Sequence, residues 1–418
     1  MFETDKICLF LCETFIGNKM NHQIAYSPTK PSERIIQIDI LRGFALFGVL
    51  LVNVFGYHSS FFDFSGFYAS FTDPLNSSVF NLLIGYGADK FIFIFSLLFG
   101  MGFSMMYAKY RSNESYFFPL YLRRLLILMA FGIIHIVFFW AGDILFSYSL
   151  MGIILLLSRK LNSHILLFLS VFLYFLPIGY IALESIFPFL PSALSSVTDI
   201  QLPEVIEIYS KGSFQEIFNL RITEYWAFRN INLIYYAPKV LSLFIFGYLF
   251  HKHHFIKKIN SSVTKYFIMA LVLLAFGIIL TINTNSIVDT IAQSNTNPLY
   301  TAIYMAVFEV SNIFLGFSYT ILILVLSQIS FTKTLLNPLQ YVGRMALTNY
   351  LMQSLIFTSL MYSYGFGLFG NLQPWQLVLL AIVVYIFQII FSKLWLKYYR
   401  FGPMEWLWRK GSYSGKIT

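Results

Sequence analysis

Apolar residues fall along this chain in blocks of about twenty, the length an α-helix needs to cross the hydrocarbon core of a bilayer at 1.5 Å per residue. About ten such blocks can be placed, over residues 37–57, 88–108, 121–140, 143–158, 163–183, 231–250, 264–283, 299–327, 344–364 and 374–396. The pattern predicts an all-α polytopic membrane helix bundle. The stretch 184–230 breaks it. That stretch is too long and polar for a tight connection, and Pro203 ahead of "EVIEIYSKGSFQEIF" suits amphipathic helices lying on a membrane surface. Four regions follow: a flexible segment 1–33, a bundle of five spans over 34–183, the loop 184–230, and a second bundle of five spans with a short surface helix over 231–418.

Composition agrees. Of 418 residues, 58% are hydrophobic and 11% charged, against about 25% charged in soluble domains. The net charge of +9 is the basic excess of a membrane protein rather than a sign of nucleic-acid binding. Its distribution predicts orientation. Lys109, Arg111, Arg123 and Arg124, then Arg159 and Lys160, Lys252 to Lys265, Lys333, and Lys393 to Lys410 all fall on one side, while 58–87, 284–298 and 365–373 contain no Lys or Arg. The positive-inside pattern puts both termini in the cytoplasm of a bacterial plasma membrane. Residues 1–33 carry no cleavable signal, and Met20 is an alternative start. Cys8 and Cys12 form no disulfide framework, and "HKHH" at 251–254 reads as a basic flank, with no metal site expected.

The candidate chemistry is the set of polar residues inside the spans, where an ionisable group costs about 2.5–3.5 kcal/mol on insertion scales and so marks function. Asp39 and Arg42 share a face of the first span, with Asn53 about 16 Å further along the same stripe. Arg124 and His135 share a stripe of the third span, also about 16 Å apart, with Arg124 at the cytoplasmic rim and His135 near mid-membrane. Asp143 falls in the outer turn "WAGDIL", where a helix cap explains it as well as chemistry does. Glu309 lies at the depth of His135 and could pair with it. Arg344, Asn349 and Gln353 put polar groups on two faces of the ninth span, as expected of an interior helix. Arg42 as a snorkelling interfacial residue and His135 as a satisfied core residue remain open alternatives. The tail "RFGPMEWLWRKGSY" suits a surface helix anchored by Trp406 and Trp408. There is no GxSxG elbow, no phosphate-binding GxxxxGK[ST] loop and no HExxH helix.

"RIIQIDILRGFALFGVLLVN", "DKFIFIFSLLFGMGF", "RRLLILMAFGIIHIVFFWAGDILFSYSLMGI", "GRMALTNYLMQSLI" and "FGPMEWLWR" together resemble the YeiB-like bacterial membrane proteins, whose C-terminal half is the DUF418 domain. "RIIQIDILRG" is also similar to the opening motif of the heparan-α-glucosaminide N-acetyltransferase group, and the Arg124–His135 spacing to the R-x10-H motif of the acyltransferase-3 family. Those two likenesses imply a transmembrane acyltransferase that uses acyl-CoA as co-substrate and passes the acyl group to a small-molecule, lipid or glycan acceptor. His135 would be the general base. Arg42 and Arg124 would pair with CoA phosphates, Asp39 would orient Arg42, and Asn53 or Asn349 would donate to the oxyanion. Glu309 or Asp143 would support the histidine, although depth argues that Asp143 and His135 are not one dyad. A homodimer is a compatible assembly. The competing reading is a secondary transporter or channel, with Asp39, Arg42, His135 and Glu309 as one polar path.

Overall fold

A computed structural model describes residues 34–60, 62, 64–187, 189–190, 201–293 and 298–413. The segment 1–33, with the alternative start at Met20, lies outside them. The described residues form helices and no strand. The first half contains α1 (Ile36–His58), α2 (Phe64–Ala69), α3 (Pro74–Tyr86), α4 (Lys90–Tyr110), α5 (Glu114–Phe138), α6 (Leu145–Ser158) and α7 (Ser163–Ile186). Next come α8 (Leu202–Lys211) and α9 (Phe214–Ala227), then a π-helical turn, Ile231–Tyr236, running into α10 (Ala237–Lys252). The rest comprises α11 (Phe255–Ser261), α12 (Val263–Gln293), α13 (Pro298–Leu326), α14 (Ser330–Leu336), α15 (Leu339–Arg344), α16 (Ala346–Met361), α17 (Pro374–Tyr398) and α18 (Pro403–Tyr413).

Eight stretches among the described residues are long and apolar enough to cross a membrane: Ile36–His58, Pro74–Tyr110, Glu114–Phe138, Ser163–Glu184, Ile231–Lys252, Val263–Thr284, Thr301–Leu326 and Pro374–Tyr398. The fourth and ninth expected spans are shorter. α6 has 14 residues and α16 has 16, reaching only about 21–24 Å at 1.5 Å per residue. Both are cut short by polar turns, and both turns border the site described below.

Burial sorts the helices into layers. The apolar windows of α1 and of the Ile231–Lys252 stretch are 67% and 72% buried, whereas those of α7, α12 and α17 are 33% or less. α1 and α10 therefore form the centre, and α7, α12 and α17 present apolar faces outward, as lipid-facing helices do. α5 packs against α6 and α18, while α16 lies against α1 and α18. The segment that the sequence reads as one amphipathic run is two helices. α8 starts with Pro203 in its first turn, and α9 starts with a capping box in which Ser213 Oγ accepts from Glu216 N and the Glu216 carboxylate accepts from Ser213 N.

The cytoplasmic-type arginines are set by one close backbone crossing. α1 and α15 meet so tightly at Gly343 that a Cβ there would stand 1.9 Å from the Asp39 carbonyl oxygen. Gly343→Ala is expected to lower the thermal midpoint of the detergent-solubilised protein, with overpacking costing about 1–3 kcal/mol. Gly179→Ala, with nothing within 4 Å of the added methyl, is expected to leave it unchanged.

Candidate active site

α5 begins at Asn113, whose side chain accepts from Tyr116 N, and runs to Phe138. Its outward positions Ile133, Ile134 and Phe138 are about half exposed, while His135 faces inward with 1% of its surface exposed. The chain then turns back. Gly132 allows the start of α6 to approach within 2.4 Å of where a Cβ would sit, a position taken by Phe146 N. That close approach folds the 139–144 turn over the imidazole. Asp143 Oδ1 accepts from Phe146 N at 2.7 Å, which caps α6, and Oδ2 stands 2.8 Å from His135 Nδ1, with both side chains fully buried. The separation of Asp143 from His135 that depth along the chain suggests is thereby corrected. One carboxylate does both jobs. The contact is close but too bent to be a hydrogen bond, and neither of the two atoms has a hydrogen-bond partner among the described residues.

The other ring nitrogen reaches α16. His135 Nε2 lies 2.7 Å from Ser354 Oγ, and Ser354 Oγ lies 2.7 Å from Tyr57 OH on α1. With the Nδ1 proton directed to Asp143, Nε2 is the acceptor for the Ser354 hydroxyl. The result is a buried file of Asp143, His135, Ser354 and Tyr57. Tyr350, one turn before Ser354, has its ring 5.3 Å from the imidazole, and its buried hydroxyl, beside the Ile144 backbone N–H, meets no acceptor for its proton among the described residues.

Toward the arginine-rich face a cavity of about 250 Å³ opens. Arg34, Arg42, Arg124, Arg344 and Arg409 line it, against one lining carboxylate, Glu405. Asp39 holds Arg42 at 3.1 Å and Arg34 at 4.0 Å. Glu405 is already engaged, accepting from Leu347 N, Thr348 N and Thr348 Oγ1 at the start of α16, while its burial raises the carboxyl above the usual range. Arg124 stacks on Trp408 at 4.1 Å, and the Trp408 indole donates to Arg124 O. Trp408 thus packs inward rather than anchoring at the interface, leaving Trp406, 44% exposed, for that role. Burial, reinforced by the Arg124 charge, pulls Arg409 down to about 10, and burial likewise lowers Arg34. The buried Nε of Arg344 has no hydrogen-bond partner among the described residues. Positive charge is crowded here without enough carboxylate to match it.

The cavity's walls lead inward to the polar file. On α5 they are Tyr121, Arg124, Leu125 and Leu128, with His135 seven residues beyond Leu128 on the same stripe. On α16 they are Leu347 and Tyr350, with Ser354 next on that stripe. The two stripes converge where His135 meets Ser354.

Glu309 is elsewhere. Its carboxylate accepts from Lys239 Nζ at 2.6 Å, Tyr174 OH at 3.0 Å, Asn312 Nδ2 at 3.2 Å and Tyr235 OH, and Lys239 also stands 3.2 Å from Asp89. Beside this network Lys90 is fully buried, with Nζ 4.7 Å from the centre of the Phe308 ring and without a hydrogen bond. Glu309 faces α7 and α10 and makes no contact with the imidazole among the described residues. Asn349 and Gln353 face a neighbouring helix. Asn349 Nδ2 donates to Met345 O and to Ser392 Oγ, and Gln353 donates to Gln388, which donates back to Asn349 O. These bonds tie α16 to α17 and leave nothing for an oxyanion. Asn53 is half-buried and lines no part of the cavity. Among the described residues no group of three or more His, Cys, Asp or Glu could hold a metal ion.

The C-terminal part, residues 250–415, matches the family described as "Protein of unknown function (DUF418)". Across nearly the whole chain the sequence is similar to the uncharacterized protein YxaH of Bacillus subtilis (strain 168), 32% identical over 404 residues and covering 92% of this chain and 96% of that one. It is also similar to the uncharacterized protein YeiB of Escherichia coli (strain K12), 31% identical over 395 residues, with 90% of this chain and 96% of that one covered. An uncharacterized 39.9 kDa protein from the amylase 3' region of Bacillus acidopullulyticus is 28% identical over 395 residues, covering 93% and 97%. With that breadth of likeness and a bundle of long apolar helices, the chain belongs to the YeiB-like family of polytopic membrane proteins that carry the DUF418 domain.

Proposed function

We propose that the protein is a transmembrane acyltransferase that takes an acyl group from acyl-CoA at the arginine-rich face and passes it to an acceptor in or across the membrane. One observation carries the reading: the arginine-lined cavity runs along two helix stripes that end at a histidine held by a buried carboxylate. The guanidinium excess suits a polyanion such as the phosphates of CoA, which arginine binds through two parallel hydrogen bonds. The apolar inner wall suits an acyl chain, and the Tyr350 hydroxyl, whose proton meets no acceptor among the described residues, suits a thioester carbonyl on which negative charge develops. His135, oriented by Asp143, acts as the general base. By the positive-inside rule the arginine face is cytoplasmic, where acyl-CoA is made, and both termini lie on that side of the inner membrane. The transporter reading draws Asp39, Arg42, His135 and Glu309 into one path, whereas the His135 and Glu309 networks share no residue.

The test is binding and turnover in lipid nanodiscs with acetyl-CoA and a long-chain acyl-CoA. Arg344→Gln is expected to weaken CoA binding about 10- to 100-fold, the loss of a charge-assisted contact worth about 1.5–3 kcal/mol. If the wild-type protein binds no acyl-CoA and releases no CoA in any lipid mixture, the proposal fails.

A further inference from the structure

The imidazole's basic nitrogen is already occupied by a hydroxyl of the protein itself. The geometry points to Ser354 as a nucleophile that carries the acyl group covalently between donor and acceptor. This deepens the acyl-transfer reading above and rests on it.

Four observations support the assignment. Ser354 Oγ is the atom 2.7 Å from His135 Nε2, and Asp143 stands 2.8 Å from Nδ1 on the far side of the ring. That order of carboxylate, imidazole and hydroxyl activates a serine by removing its proton as it attacks, and it recurs on unrelated folds, recognised by geometry rather than by sequence position. Second, Ser354 lies one turn beyond Tyr350, the innermost residue of the α16 stripe that lines the cavity. Third, the Tyr350 hydroxyl, whose proton meets no acceptor among the described residues, sits one turn before Ser354, placed to donate to the carbonyl oxygen. Fourth, the Tyr57 hydroxyl, 2.7 Å from Ser354 Oγ, holds the serine rotamer from the other side.

The chemistry closes in two steps. In the first, Ser354 Oγ attacks the thioester carbonyl carbon and its proton moves to His135 Nε2. The C–S bond breaks, and the CoA thiolate leaves with the proton that His135 held. In the second, an acceptor hydroxyl or amine attacks the serine ester, gives its proton to His135 Nε2, and Ser354 Oγ takes that proton as the ester bond breaks. Asp143 orients the ring throughout, a positioning residue. CoA can therefore leave before the acceptor arrives, so a donor from one side and an acceptor from the other need not share the buried centre.

The experiment mixes the full-length protein in nanodiscs with [14C]acetyl-CoA and, in parallel, [14C]palmitoyl-CoA, without acceptor. The expected result is a burst of about one CoA per chain, equal to the protein-bound label, with that label released by hydroxylamine and mapped to Ser354 by mass spectrometry of peptides. Ser354→Ala is expected to lose label and burst and to slow turnover about a thousandfold. Ser354→Cys, which keeps a nucleophile at the same place, is expected to recover a label held as a thioester. Thermal melts of both variants separate loss of chemistry from loss of fold. Steady CoA release without label, with Ser354→Ala turning over at the wild-type rate, would overturn the covalent step and leave direct transfer through His135 standing. Label found on another residue overturns it equally. A wild-type protein that binds no acyl-CoA is a different failure, that of the acyl-transfer reading itself.

Discussion

His135→Ala is expected to cut CoA release from acyl-CoA in nanodiscs by about 10²- to 10⁴-fold, the usual contribution of a positioned general base. The imidazole is the one group that touches both the carboxylate of Asp143 and the hydroxyl of Ser354. Without it the serine has no proton acceptor and Asp143 Oδ2 has no counterpart in a fully buried setting. A buried charge left without its partner is destabilising, so the variant's melting curve belongs beside its rate. His135→Gln keeps a polar group of similar reach and is expected to restore part of the stability but none of the rate. Asp143→Asn separates the two tasks of that residue. An amide oxygen can still accept from Phe146 N, so the α6 cap survives, while the charge that orients the imidazole is lost. Its rate is expected to fall with little change in melting. Asp143→Ala loses the cap too, at about 1 kcal/mol. Equal rates for wild type and His135→Ala would remove His135 from the mechanism.

How much of this was legible in the sequence follows from what sequence periodicity measures. Runs of apolar residues report burial in lipid, so the spans could be placed, and the lysines and arginines marked one face. Stripes along one helix were equally legible: Arg124 and His135 do lie along the α5 wall that leads from rim to interior. What periodicity cannot report is where a helix stops and how the next one is turned against it. Counting depth from Arg124 carries Asp143 beyond His135 to the outer end, yet α5 ends at Phe138, Gly132 lets α6 in, and the turn folds Asp143 back onto the ring. Depth also misplaced Glu309, because two residues at one level can face opposite sides of the bundle. Ser354 left no signal at all, being one small hydroxyl inside "NYLMQSLIF". Its role rests on contacts 219 and 297 residues away along the chain. Lys90 and Lys239 were hidden differently: each is a single cation in a long apolar block, and although Lys90 follows Asp89 in the chain, only the fold brings Lys239 beside Asp89 and Glu309.

Glu309→Ala is expected to be among the most destabilising substitutions in the protein, by about 3–5 kcal/mol, because it leaves two buried cations, Lys239 and Lys90, to the one carboxylate of Asp89. Lys239 Nζ would lose its 2.6 Å partner and keep only Asp89 at 3.2 Å, and Tyr174, Tyr235 and Asn312 would each lose the acceptor they share. The backbone beside this network is itself under tension, since Asp89 takes φ 65° at the break between α3 and α4, a conformation that non-glycine residues adopt at a cost. With Lys239 and Asp89 thus holding α10 to the start of α4 and Glu309 bringing in α13, loss of the carboxylate loosens three helices at once. The measurement is a thermal or denaturant melt in detergent for Glu309→Ala and for the double variant Glu309→Leu with Lys239→Met, which removes both charges and refills the space. The double variant is expected to recover much of the loss, since apolar replacement of a buried pair is often neutral. CoA turnover measured below the melting range tells a structural network from a functional one. If Glu309→Ala melts like the wild type but loses turnover, the carboxylate acts in the chemistry; the geometry around His135 instead expects turnover to persist wherever the protein stays folded.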